Sequence, residues 1–153
     1  MAKIRGLAIG AAGGLAGAAL MGYAHMGMAK LVTKSSPPGK DATEKVANVV
    51  ATKFTGRKLG RSKKKIGGQI VHFAFGACMG ALYGLFVDAF PALTTARGAM
   101  LGTGLYVGAH ALTIPALGLA PSPIKNGPVQ ESPEFAAHLV YGFITETVRR
   151  LIS

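Results

Sequence analysis

The chain has 153 residues, of which half are hydrophobic, with a formal net charge of +11 and a single cysteine. This length fits one domain, and one cysteine excludes an internal disulfide framework. A net positive charge of this size is typical of nucleic-acid-binding domains. Here, however, eleven of the 17 basic residues fall between Lys30 and Lys65, in a loop between apolar runs. This segregation argues against nucleic acid as a partner and favours a lipid bilayer, with anionic lipid headgroups at the basic loop.

Four apolar segments reach roughly the 20 residues that a helix needs to cross a bilayer. We therefore predict an all-α fold, an integral membrane four-helix bundle formed by a single domain over 1–153. Its spans are expected at about 6–28, 67–88, 98–117 and 134–152, with a basic amphipathic loop at 30–65.

The first segment is rich in Gly and Ala and follows Lys3 and Arg5, as in a signal peptide. Its apolar part is too long for a typical signal, so we expect an uncleaved span. It contains small-xxx-small spacings, which let helix backbones approach closely in lipid and here indicate a glycine zipper. The glycines concerned are Gly6, Gly10, Gly13, Gly14 and Gly17.

The long loop opens on Ser and Pro residues between Thr33 and Gly39, which should end any helix. Asp41 with Glu44 then resembles a capping box, and apolar residues follow at helical spacing to Phe54. We predict a short amphipathic helix on the membrane surface or, alternatively, against a partner subunit. The basic residues expected to contact lipid headgroups are Lys53, Arg57, Lys58, Arg61, Lys63, Lys64 and Lys65.

The second and third spans also carry glycine pairs, among them Gly98–Gly102 and Gly104–Gly108. A turn is expected at Pro91, and Pro115 should kink or stop the third helix. The four prolines within 120–133 predict an irregular loop, and Pro133 is expected just before the fourth helix.

The distribution of charge predicts the orientation in the membrane. Alternating spans put twelve basic residues on the side of the long loop and five on the side of the termini. The positive-inside rule then places the long loop in the cytoplasm and both termini outside.

One histidine lies in each predicted span: His25, His72, His110 and His138. Because neighbouring spans run in opposite directions, all four are expected in one layer, within roughly 5 to 10 Å of the interface on the long-loop side. Glu134 is four residues before His138 and shares its helical face.

Three functional interpretations of this layer compete. His72, His110 and His138 with Glu134 could bind a zinc, iron or copper ion. Two of the histidines could instead hold a haem from different helices, or His and Glu could form a proton or ion path. The structural alternative is that these groups only hydrogen-bond across helices. The cofactor therefore stays open, and the motifs HExxH, CxxC and Walker A are absent from the sequence.

The stretch from His72 to Arg150 resembles the YagU-like bacterial inner-membrane proteins, a family of unknown function. The similar elements are the glycine span after His72, Phe90–Pro91, the segment from His110 through Pro115 to Gly118–Leu119–Ala120–Pro121, Glu134 with His138–Leu139–Val140–Tyr141, and Glu146 before Arg149–Arg150. The basic loop after the first span departs from that pattern. The resemblance implies a multi-span protein of the bacterial inner membrane and supplies no catalytic residues.

Together these features predict a non-enzymatic accessory subunit or scaffold that forms a homo-oligomer or joins a larger membrane complex through its glycine faces. The alternative is a metal- or haem-binding protein of redox or transport function. An enzyme acting on a soluble substrate is least supported, because the sequence shows no nucleophile–base pair.

Overall fold

The computed structural model describes residues 2–32 and 42–153, and within these ranges the chain forms helices and turns without a β-strand. The predicted all-helical class is confirmed. The α-helices are α1 (Ala2–Val32), α2 (Ala42–Thr55), α3 (Arg61–Phe86), α4 (Ala99–Leu105), α5 (Ile114–Ala116), α6 (Pro123–Asn126) and α7 (Pro128–Ile152). A 3₁₀ segment covers Pro91–Gly98, and a π-helix covers Tyr106–Thr113.

Helix α4, the π-helix and α5 continue one another as a single rod over 99–116, here called the third rod. The backbone is helical at both junctions. Pro115 has no N–H to donate to the carbonyl four residues earlier, and the turns before it widen to π spacing. The hydroxyl of Thr113 donates to the carbonyl of Gly108 at 2.7 Å.

Helices α3 and α7 both begin before the spans predicted for them, and the expected position of Pro133 just before its helix is wrong. Helix α3 begins at Arg61 and includes most of the basic run. Helix α7 begins at Pro128, so the predicted irregular loop ends before this residue and Pro133 lies inside the helix. Pro133 cannot donate to the carbonyl of Val129, but the hydroxyl of Ser132 does so at 2.9 Å. The predicted break at 33–39 and the capping residue Asp41 lie outside the described residues.

Helix α1 packs against both α3 and α7, and the third rod packs mainly against α7. The α1–α3 contact is made by backbones, because Gly6, Gly10 and Gly14 face Gly84, Gly80 and Gly76 in turn. A β-carbon on Gly10 would overlap the carbonyl oxygen of Gly80. The other face of α1 meets α7, where Gly13 lies against the backbone of Thr145.

The interior of the protein is small, and part of it is polar. Ala18, Leu105 and Tyr141 form the buried apolar cluster, whereas the largest fully buried side chains are Glu146 and Thr145. Large apolar residues are instead exposed along the helices, including Leu15, Leu20, Phe75, Leu82, Met100, Leu112 and Phe143. This distribution is the reverse of that in a water-soluble domain, whose core collects the large aliphatic side chains.

Two helices are long and apolar enough to cross a membrane, over Lys3–Met28 and Arg61–Phe86. Only 28% of the apolar window in the first and 22% of that in the second is buried inside the protein. Core helices of soluble proteins of this apolarity are mostly buried.

Helix α2 packs against the beginning of α3. Ala47 is buried there and faces Gly67, while Glu44 lies against Gly68. The ammonium group of Lys45 donates to the carbonyl of Leu119 at 2.5 Å, which ties α2 to the turn that follows the third rod. The outward face of α2 is apolar, with Val49, Val50 and Phe54 exposed.

Candidate functional site

Three of the four histidines meet two glutamates where α1, the third rod and α7 come together. We call His25, His110, His138, Glu131 and Glu134 the histidine–glutamate network. Glu134 is its centre, because one of its carboxylate oxygens, Oε2, lies 3.1 Å from Nε2 of His25. The other, Oε1, lies 3.7 Å from Nδ1 of His110 and 3.5 Å from Nδ1 of His138. One carboxylate thus contacts imidazoles from three separate helical segments.

Helical spacing on α7 places three members of this network on one face. Glu131, Glu134 and His138 follow one another at intervals of three and four residues, which is one stripe of an α-helix. Nδ1 of His138 lies 2.8 Å from the carbonyl oxygen of Glu134, so Nδ1–H donates to the backbone. This bond leaves Nε2 of His138 to accept a proton or to bind a ligand.

His110 comes from the π-helical part of the third rod. Its Nε2 lies 3.1 Å from Oε2 of Glu131. The ring of Tyr106, one turn earlier, stacks on His110 with centroids 5.3 Å apart, and its hydroxyl donates to Glu131 at 3.4 Å. The rings of His110 and His138 are 5.8 Å apart. Aromatic rings at these separations are in direct contact.

The network is partly shielded from solvent. The side chains of His138 and Glu131 are 10% and 12% exposed, and those of His25 and His110 are 22% and 27% exposed. At such burial an ionised pair interacts more strongly than on an open surface. The side chains of His25 and His110 are the more exposed members and can still exchange protons with solvent.

His72 lies apart from this network. Its Nε2 is 3.0 Å from the carbonyl oxygen of Ala18, so it links α3 to α1. Ala18 precedes His25 by seven residues, which is about 10 Å along a helix. The structure therefore brings together two of the three predicted histidine ligands with Glu134, places His72 about two turns away, and adds His25 and Glu131.

Glu131 was missed because the prolines around it predicted a loop, whereas it lies on the first turns of α7. The signal available in the sequence was its spacing of seven residues before His138, which is two helical turns.

Within residues 2–32 and 42–153, no group of three or more His, Cys, Asp or Glu side chains is arranged to hold a metal ion. The network as folded is a hydrogen-bonded set of acids and bases. Such a set can hold a proton at several neighbouring sites, and it ties three helical segments together.

A second polar group lies further along α7, around Glu146. Its Oε2 accepts from the hydroxyl of Tyr83 at 2.6 Å and from Nε of Arg149 at 2.7 Å. Its Oε1 accepts from Nη2 of Arg149 at 2.9 Å and from Arg150. Glu146 is fully buried, so a carboxylate inside the protein is neutralised by two arginines that reach outward.

The residues predicted to contact lipid headgroups surround the α2–α3 corner. Six of them, Lys53, Arg57, Lys58, Arg61, Lys63 and Lys65, are exposed, and Lys64 is half-buried. They lie next to the exposed apolar residues of α2, and the two sets together form a surface with both basic and apolar character.

The family model described as "Protein of unknown function (DUF1440)" matches residues 32–147. The match includes α2, α3, the third rod and most of α7, and with them His110, Glu131, Glu134, His138 and Glu146. No curated protein and no solved structure matches the chain. The chain therefore belongs to the DUF1440 family of proteins of unknown function.

Proposed function

We propose that this protein is a four-span membrane protein that works as a non-enzymatic accessory or scaffold subunit, assembling with a second copy or with a larger membrane complex. The spans are α1, α3, the third rod and α7. Support for the membrane comes from the exposed large apolar side chains along these helices and from the glycine contacts between them, since close backbone approach is how helices associate in lipid. The YagU-like resemblance extends the proposal to the bacterial inner membrane.

The observation that carries the assembly proposal is the open face of the third rod. Most glycines on the four helices lie against another backbone, but a β-carbon at Gly104 or Gly108 would meet no atom within 4 Å. These two residues form a small-xxx-small pair, the spacing that brings helices together in membranes.

The π-helix in the same rod adds a second reason. None of its residues, Tyr106–Thr113, is buried. Departures from α-helical hydrogen bonding at membrane depth are tolerated where protein surrounds them, because lipid cannot satisfy a free carbonyl. A further helix packed over Gly104 and Gly108 would supply that cover.

The test is the mass of the protein in mild detergent, measured by light scattering coupled to size exclusion. We expect a homo-oligomer, or a complex retained from the native membrane. Gly104→Leu with Gly108→Leu should reduce it to the monomer mass. Gly22→Leu is the matched control, because Gly22 also meets no atom within 4 Å; this variant should keep the assembled mass. A wild-type protein that is a monodisperse monomer without a companion would exclude the proposal.

A second candidate function rests on the histidine–glutamate network, as a site for a metal ion, a haem or a transported proton. The network contains three imidazoles and two carboxylates from three helical segments. Ionisable groups inside a membrane are energetically unfavourable, and where they occur they usually mark a functional site. The contact between the rings of His110 and His138 favours a proton over a haem, because a porphyrin held between them would have to separate them.

Elemental analysis and an absorption spectrum of protein expressed with metal and haem supplied test this candidate. His110→Ala and His138→Ala should remove a bound metal or a Soret band, whereas His72→Ala should keep it, because His72 bonds to the carbonyl of Ala18 instead. Wild-type protein free of both would exclude a resident cofactor.

A further inference from the structure

An open cleft of about 240 Å³ lies at the C-terminal end of α7, away from the histidine–glutamate network. It is lined by Arg97, Glu146, Thr147, Arg150 and Leu151. The cleft joins the segment before the third rod to the last turns of α7.

The charges around this cleft are unbalanced. Glu146 is the one carboxylate in its lining, and it already accepts four hydrogen bonds, one from Tyr83, two from Arg149 and one from Arg150. A carboxylate offers about four acceptor positions, so Glu146 is saturated. Arg97 is exposed and has no ion-pair or hydrogen-bond partner within 2–32 and 42–153. The cleft therefore holds a free guanidinium beside a second one that is 53% exposed, Arg150.

The backbone holds Arg97 at this position in a costly conformation. Ala96 and Arg97 have φ values of +49° and +53°, and Gly98 follows at +90°. A left-handed conformation is unfavourable for a residue with a β-carbon, and such strain concentrates at ligand sites. Gly98 is buried with its backbone against Gly142 of α7, and a β-carbon would clash there. This contact fixes the turn against the middle of α7.

One apolar side chain lies beside the two arginines. Leu151 lines the cleft and is 78% exposed. A guanidinium binds phosphate oxygens through paired N–H donors. An exposed apolar side chain beside it suits a ligand that carries an acyl chain or lies at a membrane surface.

We propose that Arg97 and Arg150 form a binding site for a phosphate group, supplied either by an anionic phospholipid headgroup or by free phosphate. This site is separate from the basic residues of the α2–α3 corner and from the histidine–glutamate network.

The experiment is isothermal titration calorimetry of the full chain in a neutral detergent. The probes are dihexanoyl phosphatidylglycerol, dihexanoyl phosphatidylcholine and inorganic phosphate. We expect saturable binding of phosphatidylglycerol or of inorganic phosphate, at least tenfold tighter than that of phosphatidylcholine. Binding of phosphatidylglycerol alone assigns the site to a lipid headgroup, whereas binding of inorganic phosphate with equal or higher affinity assigns it to free phosphate.

Two glycine variants separate the charge from the backbone strain. Arg97→Gly removes the guanidinium and relaxes its positive φ, so it should fold at least as well as wild type while weakening anion binding tenfold or more. Ala96→Gly relaxes the neighbouring residue and keeps the charge, so its affinity should stay within twofold of wild type. Arg5→Gln removes a cation outside the cleft and should also stay within twofold. Equal affinities for Arg97→Gly and wild type, or an equal loss in Arg5→Gln, would overturn the site.

Discussion

At the scale of single residues, the stability of the fold depends on polar contacts that add to a small apolar core. Glu146 and Thr145 occupy the fully buried positions that Leu or Phe would fill in a soluble bundle. Tyr141 donates to the carbonyl of Gly76 at 2.7 Å, and Tyr83 donates to Glu146. Both tyrosines therefore connect α3 to α7, and each pairs polar groups that burial would otherwise leave without a partner.

Replacing Glu146 should cost more than replacing its tyrosine partner. Glu146→Gln removes the negative charge between Arg149 and Arg150, and we expect a loss of about 2–3 kcal/mol, since bonds to charged groups are the stronger class. Tyr83→Phe removes one donor and leaves all three bonds from the arginines, for an expected loss of about 1 kcal/mol. Thermal unfolding in detergent measures both variants, and a larger loss in Tyr83→Phe would contradict this ranking.

At the scale of the helices, three glycine pairs fix the register of α1 on α3. The pairs Gly6–Gly84, Gly10–Gly80 and Gly14–Gly76 descend in antiparallel order, and the next step of the same register pairs Ala18 with His72, which are joined by a hydrogen bond. A slip by one turn in this contact would move the position of His72 relative to α1.

Alanine at two glycines should therefore have opposite effects. A β-carbon at Gly80 would overlap the backbone of Gly10, so Gly80→Ala should destabilise the protein by about 1–3 kcal/mol. Gly22→Ala adds a methyl group in open space within the same α1 helix that Gly80 packs against, and should stabilise it by about 0.5–1 kcal/mol. Thermal melts of the two variants should shift in opposite directions, and equal shifts would show that the α1–α3 contact is not tight.

At the scale of the whole molecule, the arrangement is a layered one in which α1 lies against α3 and α7, and the third rod packs mainly on α7. The basic α2–α3 corner lies on the side of the fold where α1 ends and α3 begins. The arginine cleft belongs to the other end, with the C-terminus of α7. A membrane between these ends would place one set of cations in each interface.

Labelling from one side of the membrane tests this orientation. In a Cys78→Ala background, Lys58→Cys should react with an impermeant maleimide only after the cells are lysed, because the long loop is predicted in the cytoplasm. Ser153→Cys should react in intact spheroplasts. Label on Lys58→Cys alone before lysis would reverse the topology. Label on both cysteines before lysis would place residues 58 and 153 on the same side, so that α3, the third rod and α7 could not all cross the membrane.

The sequence predicted the helical class and one layer of four histidines, because both follow from helix periodicity and span direction. Of these four, His25, His110 and His138 do lie together. The place of His72 could not be predicted in this way. Counting residues from a span end fixes the depth of a side chain only to a turn or two, whereas the register of α1 on α3 is set by glycine packing. The early start of α7, and with it the position of Glu131, could not be predicted because the prolines indicated a loop. The sequence did not reveal that the hydroxyl of Ser132 replaces the missing N–H donor of Pro133.

The packing of α1 on α7 has a consequence for biogenesis, because it joins two helices that lie about a hundred residues apart in the sequence. The ribosome completes α1 long before α7, so the glycine face that receives Thr145 stays uncovered until α7 has been synthesised. Nascent chains halted before residue 128 would carry α1 without this partner, and we expect the membrane proteases that remove unassembled helices to degrade them faster than the full-length protein.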